Sequence, residues 1–288
     1  MDRWYALLEQ VLQEVRAREP PGASDVSLMA HLLRLVDPAT GRPLSDAQLL
    51  PELGIVFVAG METSGKTMGW TLYCISQHSE VEARIAAELA GHGLLAAPGQ
   101  PAPRTPAHDD LAKLGYLNRE SMRLYPVAAS GTARQTERDM TMGGRTIPAG
   151  TVLVVPLYPL MNSPHVWDCP AEFRPDRWLE EDAEYLSSDA RKRGCVTEAG
   201  RSAPAAPADA VLAKRFIPFS DGPRDCVGRN LATMNIVTTL ATLLGRFTFR
   251  LAETMGGPQG VRAKERLLST LQIEGGMKMH AVPRVMGL

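Results

Sequence analysis

The chain has 288 residues, 44% of them hydrophobic, and a formal net charge of -1. That is enough apolar material for one large domain or two small ones, and it gives no electrostatic reason to bind nucleic acid or an anionic membrane surface. The four cysteines, Cys74, Cys169, Cys195 and Cys226, show no paired spacing. A disulfide framework or a zinc site is therefore not expected, and a reducing compartment is the default. The best apolar run, Val152 to Met161, is broken by Pro156 and Pro159 and falls short of membrane-spanning length.

Residues 2 to 18 carry helical periodicity through Trp4, Leu7, Leu8, Val11, Leu12 and Val15. The charges spread along them argue against a signal peptide, and Pro20-Pro21-Gly22 ends the helix. A second helix is predicted over roughly 25 to 36, stopped by Asp37-Pro38. Ser45-Asp46 then caps a long apolar segment from about 47 to 78. Residues 80 to 90 read as a charged helix, and 91 to 109, rich in Ala, Pro and Gly, as a surface loop. A helix from about 110 to 125 follows. Next comes a β part, with Thr132 to Arg138, Met140 to Met142, Thr146-Ile147 and Thr151 to Val155 separated by Gly143-Gly144 and Pro148-Ala149-Gly150. Residues 181 to 213 read as an irregular meander with an exposed or disordered insert. A last helix begins after Cys226, and Phe247 to Leu251 and Leu271 to Val282 read as short strands. The expected class is mainly α with a small β part.

The stretch with most chemistry is Phe219-Ser220-Asp221-Gly222-Pro223-Arg224-Asp225-Cys226-Val227-Gly228. It puts Cys226 where a loop meets a helix. A thiolate there faces free backbone N–H groups and the positive end of the helix dipole, which suits it to be a metal ligand or a nucleophile. Arg224 adds a cation on the loop, and Gly222 and Gly228 remove side chains on both sides, as a flat ligand against the backbone requires. The plain alternative is a buried structural cysteine. The typed positions of F-x-x-G-x-R-x-C-x-G favour the ligand reading.

Two readings compete for Gly54 to Trp70. Gly60-x-x-x-x-Gly65-Lys66-Thr67 matches the phosphate-binding P-loop string, after a strand-like run from Gly54 to Val58. Against it, Glu62 would put a carboxylate where phosphate belongs, no apolar run ending in Asp follows to hold magnesium, and strands and helices do not alternate downstream. The other reading is one long helix carrying Ala59-Gly60-Met61-Glu62-Thr63-Ser64. Further on, Glu120 and Arg123 are i and i+3 on one helical face, ahead of Leu124-Tyr125-Pro126. Such a pair is usually a solvated surface ion pair.

Taken in chain order, Ala59 to Ser64, Glu120 with Arg123, Arg177 within Phe173-Arg174-Pro175-Asp176-Arg177-Trp178, and Phe219 to Gly228 resemble the cytochrome P-450 family. Joint occurrence in that order is far more specific than any one of them. The resemblance implies the cytochrome P-450 fold and haem b, with Cys226 as the axial thiolate ligand of the iron. Phe219, Gly222, Arg224 and Gly228 belong to its haem-binding loop. In the family Arg224 and an Arg at the place of Arg134 pair with the haem propionates. Gly60 leaves room for oxygen beside the central helix, and Glu62 and Thr63 relay protons. Glu120, Arg123 and Arg177 form a structural triad, and the turn near Glu274-Gly275-Gly276 faces the substrate. Asp176 and Trp178 stand where the family more often has Glu and Phe, and His165 reads as structural.

The implied activity is insertion of one atom of dioxygen into a small organic or lipophilic substrate. Electrons come from NADPH, one at a time, through a reductase or ferredoxin; no nucleic-acid partner is implied. The resemblance runs from about residue 1 to 284. The family's catalytic domain is longer on its N-terminal side, so residues 1 to 288 are expected to be a single domain, an N-terminally truncated C-terminal portion that is inactive alone. Membrane association is expected only through segments it does not contain. Two rival readings stand beside this one: a P-loop nucleotide hydrolase built on Gly60 to Thr67, and a haem-binding remnant without turnover. The compartment beyond intracellular is not read from these residues.

Overall fold

Among the described residues of the first 91, helical periodicity gives α1 (Asp2–Ala17), α2 (Leu28–Arg34), α3 (Asp46–Ser76) and α4 (Ser79–Gly91). The computed structural model describes residues 2–17, 25, 27–107, 110, 119–178 and 216–285. The predicted insert at 181–213 and most of the predicted helix before Arg119 lie outside the described residues. Helix α2 starts at Ser27, whose Oγ accepts from the Ala30 N–H at 3.2 Å. Helix α3 starts as its sequence suggests. The Gln48 side chain reaches back to accept from the Ser45 N–H at 3.0 Å, which fixes the first turn.

The chain divides into two compact units, Met1–Glu62 and Thr63–Leu288. In the first, Leu8 and Leu12 of α1, Leu32 of α2, and Leu49 and Leu53 of α3 form the core. A Cβ on Gly54 would come within 3.2 Å of Leu8 Cδ1, so glycine lets these two helices approach closely.

In the second unit, α5 (Arg119–Leu124), α6 (Leu157–Met161), α7 (Arg229–Arg246) and α8 (Gly257–Ala263) join the end of α3 and α4. One core gathers Ile75, Leu89, Leu94, Ile236, Leu240 and Leu244. There a Cβ on Gly245 would sit 2.1 Å from the Leu94 carbonyl oxygen, so α7 lies directly on that backbone. A second core packs Trp70, Tyr73 and Cys74 of α3 against Met255, Val261, Leu271 and Ile273, with Tyr125 stacked on Trp70 at 4.0 Å.

Among the described residues, the strands make four antiparallel pairs. β1 (Ala133–Gln135) pairs with β4 (Val152–Val154), and β2 (Met140–Met142) with β3 (Arg145–Ile147). β5 (Phe247–Leu251) pairs with β8 (Met279–Pro283), and β6 (Glu265–Leu267) with β7 (Leu271–Ile273). The strand expected over Leu271 to Val282 is two strands. Gly275 and Gly276, with φ of 76° and 80°, turn the chain between them through a conformation that side chains disfavour. Among the described residues, no helix is long and apolar enough to cross a membrane.

Candidate active site

The loop before α7 is closed by its own backbone. The Cys226 N–H donates to Phe219 O at 2.9 Å, and the Asp225 N–H to Gly222 O at 3.1 Å. Two left-handed residues make the bend, Ser220 at φ 63° and Gly222 at φ 84°. Gly228 is the N-cap of α7, and Arg229, the first helical residue, pairs with Asp225 at 2.9 Å while its guanidinium lies over the Phe219 ring. Cys74 and Cys169 are buried, and burial pushes the Cys74 thiol pKa far up, while Cys226 is exposed. Val227 beside it, and Leu231 and Met234 further along α7, are exposed apolar side chains.

A planar macrocycle held through sulfur needs a thiol open to its approach, no side chain beside that sulfur, and apolar surface nearby. The loop meets all three. A Cβ added to Gly228 would stand 3.9 Å from Cys226 Sγ with no other atom within 4 Å. The residues present therefore fit haem.

Behind the loop lies a buried charge cluster. Glu120, Arg123 and Arg177 are 1%, 0% and 3% exposed. Arg123 donates to Glu120 Oε2 at 3.1 Å and to Oε1 at 2.9 Å; Arg177 donates to Oε1 at 2.9 Å. Arg123 also reaches the carbonyls of Met161, Pro170 and Glu172 at 2.9–3.1 Å. The cluster thus pins the irregular stretch from 161 to 178 onto α5, and the Glu120–Arg123 pair is interior, joined there by Arg177.

Helix α3 contains all of Gly60 to Thr67. Mid-helix amides donate to carbonyls four residues back and cannot cradle phosphate, which removes the P-loop reading. The lysine of that string, Lys66, instead turns to β7 and the residue before it: its Nζ donates to Thr270 Oγ1 at 2.6 Å and to Gln272. Gly60 is exposed, and Glu62 and Thr63 are half-buried on successive helical positions.

The cytochrome P450 family model matches residues 2–272. The chain belongs to the cytochrome P450 family. A cyclooctat-9-en-7-ol 5-monooxygenase of Streptomyces melanosporofaciens is 32% identical over 256 residues, 86% of this chain and 48% of that protein. The mitochondrial sterol 26-hydroxylase of Oryctolagus cuniculus is 29% identical over 259 residues, 88% of this chain and 43% of that protein. A crystal structure of a cytochrome P450 aligns at a TM-score of 0.74 and 24% identity, covering 99% of this chain and 56% of the other. The chain has the P450 fold and spans about half the length of the curated relatives it matches. The family's cofactor is haem b, with electrons drawn from NAD(P)H through redox partners.

For a P450 chain, Trp178 is the residue that sequence reasoning undervalued. Its indole N–H donates to Glu120 Oε2 at 3.0 Å, a bond that a phenylalanine cannot make. Its ring packs on Phe216 at 4.5 Å, three residues before Phe219, and so joins the buried cluster to the segment that enters the Cys226 loop. Only the aromatic character of this position hinted at packing; its N–H was the missed signal. Asp176 is half exposed and pairs with Arg84. Arg134 and Arg224 are exposed, and Arg134 donates to the Ala133 carbonyl at 2.8 Å. The structure forms no ion pair between Arg134 and the Cys226 loop among the described residues.

Proposed function

We propose that this P450 chain carries the thiolate side of a haem monooxygenase that inserts one atom of dioxygen into a lipophilic substrate. The observation behind this is Cys226, exposed at the head of α7 beside a glycine that leaves its sulfur unobstructed. Haem bound there supplies dioxygen activation, which a thiolate ligand favours. In this reading Cys226 holds the iron and Gly228 leaves room for the ring. Phe219, Gly222 and the Cys226–Phe219 hydrogen bond hold the loop's shape. Arg224 and Arg134 supply positive charge for the propionates. Glu62 and Thr63 hold and pass protons beside Gly60. Glu120, Arg123 and Arg177 keep the stretch before the loop in register. Electrons would come from a reductase or ferredoxin. Two relatives are named for cyclooctat-9-en-7-ol and for a sterol, which supports a lipophilic substrate here too.

The test is spectroscopic. The 288-residue chain, given haem, reduced and exposed to carbon monoxide, is expected to show the red-shifted Soret band of a thiolate complex. Cys226→Ala should remove that band. A mutant that keeps it would end the assignment.

A further inference from the structure

The β6–β7 hairpin has different cavities on its two faces. Successive residues of β6 point to opposite sides, so Glu265 and Leu267 line one cavity together with Leu271, while Arg266 lines another together with Leu268, Gln272, Ile273 and Glu274. The second, about 720 Å³, is bounded by α3 at Gly65, Lys66 and Gly69. The first, about 840 Å³, falls in the usual size range of small-molecule sites. Its wall is aromatic: Trp70 and Tyr73 are buried, Tyr125 is half-buried, and Tyr158 stands exposed at the rim. None of its lining residues belongs to the Cys226 loop or to Gly60–Thr63.

The first cavity contains one carboxylate. Glu265 is half-buried and has no hydrogen-bond or ion-pair partner for its side chain among the described residues. The opposing charge that acts on it is Arg262 on α8, which lines the same cavity and is exposed. Burial raises the Glu265 pKa, and Arg262 offsets part of that rise. The phenols of Tyr73, Tyr125 and Tyr158 are raised first by their own burial, and each is also near enough to feel Glu265. Three tyrosines and one unpaired acid therefore converge on one volume.

We propose that this cavity binds a lipophilic organic cation, an amine or ammonium group on an alicyclic or aromatic body, with its charge at Glu265. Aromatic faces attract cations, and the attraction grows when both are withdrawn from water. A cation also gives the half-buried carboxylate the partner it lacks. A neutral ligand would leave that acid unpaired, and an anion would be repelled by it. Arg262, being exposed, is better screened by solvent than Glu265.

Isothermal titration calorimetry on the 288-residue chain tests this with three probes of one hydrocarbon body: 1-adamantanamine, 1-adamantanol and adamantane-1-carboxylate. The amine is expected to bind about tenfold tighter than the alcohol. Glu265→Gln should erase that difference and leave alcohol binding unchanged. In haem-loaded protein, reduced and held under carbon monoxide to block the iron, the amine should bind with the same heat, which separates this cavity from iron ligation near Cys226. Tyr158→Ala, at the exposed rim, is the second variant and should weaken the amine severalfold without touching the half-buried acid. The proposal is overturned if none of the three probes binds or the alcohol equals the amine. It is equally overturned if the carboxylate binds tightest, amine binding disappears when carbon monoxide blocks the iron, or both variants leave amine affinity unchanged.

Discussion

Removing the Glu120 carboxylate is the sharpest perturbation this fold offers. It accepts five hydrogen bonds: two from Arg123, and one each from Arg177, the Trp178 indole and the Arg174 backbone N–H. Glu120→Ala would take this carboxylate away from two guanidinium groups that are 0% and 3% exposed. Breaking a buried pair from one side costs about 3–5 kcal/mol, against a net stability of about 5–15 kcal/mol. At a urea m-value of about 2–3 kcal/mol per molar, the unfolding midpoint should fall by roughly 1–2 M. Asp176→Ala is the control. Its partner Arg84 is 53% exposed and Asp176 itself 49%, so its loss should move stability by about 1 kcal/mol at most. Urea unfolding followed by far-UV circular dichroism and tryptophan fluorescence would report both, since Trp167 and Trp178 lie on the cluster. If the two variants unfold at the same midpoint as the parent, the cluster does not hold the fold and the reasoning fails.

The remaining predictions concern the loop, pH and the central helix. Gly228 has φ −86°, which any residue adopts, so Gly228→Leu should unfold normally yet bind clearly less haem per chain; full occupancy by absorbance would show that the bare position is not for the cofactor. Hydrogen bonds from Arg104, and then the Ala107 N–H, hold Asp110 below the usual carboxylate range. A depressed carboxylate stabilises above its unfolded pKa of about 3.9 and loses that contribution below it. The midpoint difference between parent and Asp110→Asn should therefore be full at neutral pH and shrink below about pH 4; a difference that grows on acidification would contradict the sign. In an active preparation, Thr63→Ala should keep electron consumption but release more peroxide per product, and unchanged coupling would count against its part in proton delivery.

Local order made the Cys226 loop readable, because its glycines and cysteine act through backbone within ten residues of each other. The Glu120 cluster was half readable. The i, i+3 pair and Arg177 were visible as a pattern, but their burial depends on carbonyls 38 to 49 residues away. Lys66 shows the limit. Its string suited a phosphate loop, and its hydrogen-bond partner Thr270 lies 204 residues further on, where nothing local announces it. Helix α8 and strand β6 were missed for a related reason. Gly257-Pro258-Gln259-Gly260 reads as loop, and α8 is held by packing: Val261 is buried in the core, and Gly260 lies where a Cβ would come 2.0 Å from the Met255 carbonyl oxygen. Tertiary contact overrode propensity there.

The glycines of α3 provide a last test, because the same substitution has different expected outcomes along one helix. Gly60, Gly65 and Gly69 lie within it, and a Cβ at any of them meets nothing within 4 Å. Each costs helix stability of roughly 1 kcal/mol relative to alanine, and close packing among the described residues gives no reason to bear that cost. What they share is bare helix surface: Gly65 and Gly69 on the cavity beside β7, and Gly60 where the proposed oxygen groove would lie. Alanine at each should therefore stabilise by about 0.5–1 kcal/mol. Gly54 is the contrast in the same helix and the same unit as Gly60, since its Cβ would press on the buried Leu8 at 3.2 Å. Gly54→Ala should gain less than Gly60→Ala, or lose stability, in paired urea titrations. If Gly60→Ala is the more damaging of the two, the helix surface at Gly60 is filled in solution, and its glycine is explained by packing and not by room for a ligand.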